Sequence, residues 1–182
     1  MKALKNRSGF SLAEILVAIA IVAVVAAVVV PSIGSQLRSG DESRVQQDLT
    51  NMRAGIEQFL ADVRRYPNSV GQLTKLPTTT LSGLTGGTFT ASQVARWRGP
   101  YISKDSTEAV KTGFDLSMNL AFTSTTVNSI NYLTITIASF DSTNATRVDQ
   151  RMDDGVLTTG QVRWTVGTSP LGTFTYYALP VQ

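Results

Sequence analysis

The sequence contains no cysteine and no histidine. Without cysteine, no disulfide can staple a loop and no thiolate can act as nucleophile or metal ligand. Without histidine, Ser-His-Asp and Cys-His arrangements are excluded, as are zinc sites that depend on imidazole or thiolate. The chemistry left open is that of oxygen: carboxylate catalysis, and hard-cation sites built from carboxylates. Charge is also missing from one stretch. From Phe10 to Val30 the only formally charged side chain is Glu14, whereas the rest of the chain is mixed, polar and rich in Thr, Ser and Gly. At 182 residues there is room for one modest globular domain plus a membrane or fibrous element, and too little for two full-sized domains.

The formal net charge of +3 resides at one end. Lys2, Lys5 and Arg7 precede the apolar run with no acid beside them; without them, Lys plus Arg equals Asp plus Glu in number. A general basic surface of the kind phosphate binding needs is therefore absent, and direct specific binding of nucleic acid is not expected.

The leader MKALKNRSG, residues 1–9, is followed by the apolar run FSLAEILVAIAIVAVVAAVVV, residues 10–30. As a helix rising about 1.5 Å per residue, that run is long enough to cross a hydrocarbon core of roughly 30 Å. The basic leader places the N-terminus in the cytoplasm by the positive-inside rule, so a single span with the bulk of the chain outside is expected. A secretory signal peptide has a shorter apolar core of about 7–15 residues and ends in a small-residue cut site, whereas this run meets Pro31. A carboxylate inside such a span costs on the order of 2.5–3.5 kcal/mol, so Glu14 needs a partner or a function.

The stretch Gly9-Phe10-Ser11-Leu12-Ala13-Glu14 resembles the processing site of type IV pilins and of the pseudopilins of type II secretion. The resemblance implies that prepilin peptidase cuts between Gly9 and Phe10, that Phe10 becomes the N-methylated first residue, and that Glu14 is then fifth in the mature chain. It also implies an assembly role for Glu14, whose carboxylate meets the amino terminus of a neighbouring subunit and sets axial register. Pro31 matches a proline usual in such subunits. From the residues alone it is either a kink in a continuing helix or the point where the membrane helix stops.

Beyond Pro31 the apolar residues Ile33, Leu37, Val45, Leu49, Met52, Ile56, Phe59, Leu60 and Val63 recur at intervals of mostly three and four. That is the stripe of an amphipathic helix reaching to about Arg65 before Tyr66-Pro67 ends it. Arg38, Asp41, Glu42, Arg44, Asp48, Arg53, Glu57, Asp62 and Arg64 are expected to form solvated faces. Residues 31–66 thus continue the helix, and 67–182 form a globular head. A short helix is expected at 69–76, a loop at 77–90, and strands at 114–122, 132–140, 161–166 and 173–179. Three or four antiparallel strands packed on the 49–63 stripe make an α+β, pilin-like fold, a long helix against a small sheet. RRYPNSVGQLTKL followed by RWRGPYISKD further resembles the corresponding region of the major pseudopilins.

The stretch FDSTNATRVDQRMDDG reads as an acidic loop in which Asp141, Asp149, Asp153 and Asp154 offer oxygen ligands. The family resemblance implies calcium in a C-terminal loop, although the family's Asp-Pro-Trp-Gly lead-in is missing; no other cofactor is expected. The resemblance also implies a homo-oligomeric helical filament with other pilin-like subunits, a membrane assembly platform and an ATPase, in the bacterial inner membrane and then in a periplasmic or surface filament. A pseudopilin is the first reading and a type IV pilin for adhesion, twitching or DNA uptake the alternative. A membrane-tethered enzyme is a third class. It would have to use carboxylates such as Glu108, Asp115, Asp141 and Asp153, which show no catalytic spacing.

Overall fold

A computed structural model describes residues 9–103 and 110–182; the side chain of Pro31 also falls outside the description. Lys2, Lys5, Arg7 and Glu108 therefore lie outside the described residues. The chain divides into two compact units, Met1–Ser39 and Gly40–Gln182. Helix α1, Leu12–Val63, contributes its first part to one unit and the remainder to the other. It continues through position 31.

In the first unit the apolar residues of α1 point outward: Leu12, Ile19, Val24 and Val28 are all exposed. In the second unit the apolar stripe is buried. Val45, Leu49, Met52, Ile56, Phe59 and Val63, spaced by three, four and seven residues, form one wall of the core. Ile33 and Leu37, which continue the stripe in the sequence, are exposed.

After α1 come α2 (Val70–Thr74) and α3 (Ala91–Ala95), the latter closed by a capping box in which Thr90 and Gln93 satisfy each other's backbone N–H groups. The loop between them is held by Arg65, whose guanidinium donates to the carbonyls of Gly86, of Gly87 at 2.9 Å and of Thr88 at 3.3 Å. One sheet then follows, with β1 (Val110–Lys111), β2 (Ser117–Met118), β3 (Thr123–Val127), β4 (Ile130–Asp141), β5 (Val162–Val166) and β6 (Leu171–Val181). Helix α4, Ser142–Met152, lies between β4 and β5. All pairings are antiparallel, in the order β1-β2-β4-β6-β5 with β3 also on β4. Leu133, Ile135 and Ile137 of β4 and Phe174, Tyr176 and Ala178 of β6 alternate into the core, where Phe140 stacks on Phe174 at 4.7 Å.

The α+β class, the long helix and three of the four expected strands are present. Three expectations need correction. The stretch 114–122 is not one strand: Gly113–Asp115 is a 3-10 turn, and only Ser117–Met118 pairs before β3. Gly113 sits against the Asp41 carbonyl of α1, and Phe114 and Asp115 both take positive φ, which breaks the strand. The sheet has six strands, because the Thr-rich segment β3 folds back on β4 through Asn128-Ser129, both at positive φ, as a type I′ hairpin requires. Finally, Glu42 is not on a solvated face but only 6% exposed. It accepts from Arg151 Nε of α4 at 2.9 Å and has Arg147 at 3.8 Å, so a clamp rather than water neutralises it.

Candidate functional sites: an N-terminal motif and an acidic cluster

The N-terminal site is a helix start. Ser11 Oγ accepts from the Glu14 N–H at 3.2 Å, while Glu14 Oε2 accepts from the Ser11 N–H at 2.8 Å and from the Ser11 hydroxyl at 2.9 Å. This is a reciprocal capping box, which meets donors that the first helical turn leaves unpaired. Spacing is the reason it forms: a serine three residues before a glutamate brings the two side chains onto the same turn. Gly9 and Phe10 precede the helix and are exposed. The first unit's stretch of α1 is long and apolar enough to cross a membrane.

The second site is at the end of α4. The stretch expected to be an acidic loop is mostly helix, and the correction has a local cause. Asp141 Oδ1 accepts from the N–H groups of Thr143 at 2.9 Å and Asn144 at 3.1 Å, capping α4 at its N-terminus. Asp141 is thereby separated from the other three acids. Asp149, on the last turn of α4, and Asp153 and Asp154, just beyond it, bring carboxylate oxygens within 4.8 Å of one another.

Their surroundings differ. Asp149 is fully buried, and neither of its side-chain oxygens has a hydrogen-bond partner among the described residues. Burial, then repulsion from Asp154 and Asp153, pushes its pKa up to about 6. Asp154 is held below the usual carboxylate range by the Val156 N–H at 2.8 Å, then by the Thr159 hydroxyl at 2.8 Å. Asp153 accepts from the Gln161 N–H, and Gly160, at positive φ, leaves room where a Cβ would strike the Asp153 carboxylate. A buried carboxylate with two unmet oxygens beside two further acids could hold a hard divalent cation, since all the donors are oxygens. Thr159, Gly160 and Gln161, which shape this site, carry no sequence signal beyond turn composition.

Two of the carboxylates considered for catalysis are engaged elsewhere, and Glu108 lies outside the described residues. Asp115 is exposed and paired with Lys111 at 3.1 Å, and Asp141 serves as a helix cap.

Residues 4–30 match the family described as the prokaryotic N-terminal methylation motif. The chain is 32% identical over 78 residues to the type II secretion system core protein G of Dickeya chrysanthemi, covering 41% of this chain and 51% of that protein. It is 32% identical over 66 residues to the protein of the same name from Klebsiella pneumoniae, covering 36% and 47%. The chain thus matches about half the length of these curated relatives. No solved structure matches it.

Proposed function

We propose that this chain is a structural subunit of a pilin-like filament, a pseudopilin of a type II secretion system, and that it performs no catalysis. The observation that carries the reading is the methylation motif at residues 4–30, with Glu14 inside an otherwise uncharged span. The similarity to secretion-system core proteins favours the secretion filament over a surface pilus.

On this reading the leader stays in the cytoplasm and prepilin peptidase cuts between Gly9 and Phe10. Phe10 is then methylated, and the unit from Gly40 onward lies in the periplasm. The outward apolar residues of α1 first face lipid and then, after extraction by the assembly platform and its ATPase, other subunits of the filament. Glu14 exchanges its Ser11 partners for the new amino terminus of a neighbouring subunit. That exchange sets register more than it adds energy, because pairing in low dielectric depends steeply on geometry. Pro31 weakens the backbone hydrogen bonding of the helix where the filament must adjust. Asp149, Asp153 and Asp154 would hold a calcium ion, which supplies the positive charge that lets the buried Asp149 ionise.

The test is N-terminal sequencing and mass analysis of the protein recovered from membranes of cells with and without prepilin peptidase. A mature chain beginning at Phe10 only when the peptidase is present supports the reading. An intact leader in both strains, or a cut beyond Val30, overturns it.

A further inference from the structure

Helix α4 presents two faces with different chemistry. Ala145, Val148 and Asp149 are buried, whereas Arg147 and Arg151, four residues apart and so on one face, reach Glu42 of α1. Three contacts join the last turn of α4 to one turn of α1. Arg151 Nε donates to the buried Glu42 carboxylate at 2.9 Å, Arg151 Nη1 donates to the Ser43 hydroxyl at 3.3 Å, and Gln46 Nε2 donates to the Arg151 carbonyl at 3.5 Å. Both the side chain and the backbone of residue 151 are therefore held by α1.

Arg151 also sits midway between two of the clustered acids. Asp149 is two positions before it and Asp153 two after, and the Asp153 N–H donates to the Asp149 carbonyl at 2.7 Å, closing the turn that contains Arg151. The carboxylates of Asp149, Asp153 and Asp154 lie within 4.8 Å of one another, where like charges repel. Asp149 keeps two buried oxygens without a hydrogen-bond partner among the described residues, and a cation between the three acids would satisfy both. Such a cluster binds an ion well only if its oxygens are held close beforehand; otherwise part of the binding energy is consumed in gathering them. A buried ion pair adds little net stability over an apolar pair of the same shape, so the Glu42–Arg151 contact is better suited to fixing geometry than to adding energy.

From these features we infer that Arg151, anchored on Glu42, is a positioning residue for cation binding at Asp149, Asp153 and Asp154, because it pins the turn that carries the ligands. The inference rests on the cation reading of that cluster. Charge and position here act in opposite directions. Arg151 is a cation close in sequence to a cation site, so its charge alone opposes binding and its removal would strengthen it. As a positioning residue it does the reverse, and its loss weakens binding.

The test is calorimetric titration of the full chain, in detergent micelles and freed of metal, with calcium chloride. The parent should bind with a dissociation constant on the order of 10⁻⁴–10⁻³ M or tighter, and Asp149→Asn should abolish that binding. R151Q should bind at least about fivefold more weakly. R151K should fall between R151Q and the parent, because charge and reach to Glu42 remain while the fork is lost. Near-ultraviolet circular dichroism at the titration temperature checks that each variant is folded; if R151Q is not, R151K alone decides. Calcium bound by R151Q as tightly as by the parent, or more tightly, overturns the positioning role and leaves the cation reading standing. R151K matching the parent does the same where R151Q is unfolded. No binding by the parent, or equal binding by Asp149→Asn, overturns both.

Discussion

At neutral pH the ion-free protein carries a cost that an amide would not. Asp149 has an ordinary carboxylate pKa of 3.8 when unfolded and about 6 when folded, chiefly because burial disfavours its charged form. A folded-state pKa raised above the unfolded one means that the native state binds the extra proton, so stability falls as pH rises. The loss begins near pH 4, runs through the folded pKa of about 6, and is complete above it. The gap corresponds to roughly 3 kcal/mol at pH 7. Asp149→Asn keeps the shape and, like the protonated acid, carries no charge, so the difference between variant and parent isolates the ionisation. The expected result, from thermal melts followed by near-ultraviolet circular dichroism in chelator, is equal stability near pH 4. At pH 7 the variant should melt roughly 6–10 °C above the parent. Calcium at pH 7 should then stabilise the parent and leave the variant unmoved. A variant-minus-parent difference that is the same at both pH values would refute the argument, since the buried charge would then not be its source.

Other perturbations follow from packing. Gly113→Ala places a Cβ against the Asp41 carbonyl, with the Asp41 carbonyl carbon at 2.8 Å, and should cost about 1–3 kcal/mol in chemical denaturation. Phe59→Ala empties the space between Phe89 at 6.0 Å and Tyr101 at 5.7 Å and should cost about 3–5 kcal/mol by the same measurement. Among the described residues, Arg151→Ala leaves buried Glu42 with the longer Arg147 contact and should cost about 2 kcal/mol, whereas a loss under a few tenths would mean that Glu42 is hydrated. Glu14→Ala should leave membrane insertion intact while filaments fail to form, as seen by fractionation and electron microscopy. Normal filaments would remove the assembly role.

Local pattern was enough for several features. The 3.6-residue stripe from Val45 to Val63 placed the core face of α1, the uncharged run marked the span, and alternation marked β4, β5 and β6. The N-terminal methylation motif was legible because it is a contiguous string, and its Ser11–Glu14 spacing carries its own capping geometry. Features that depend on residues far apart in the chain were not legible. Glu42 reads as one more surface acid until α4 brings Arg151 to it from 109 residues away. Residues 114–122 read as a strand until Gly113 meets Asp41. Sequence alone determined the long apolar segment, the methylation motif at its start and the residues able to bury apolar surface, because each rests on periodicity or composition within one segment. Only the tertiary structure decided which acids meet and which one is stripped of water, because burial and pairing are properties of segments brought together by folding.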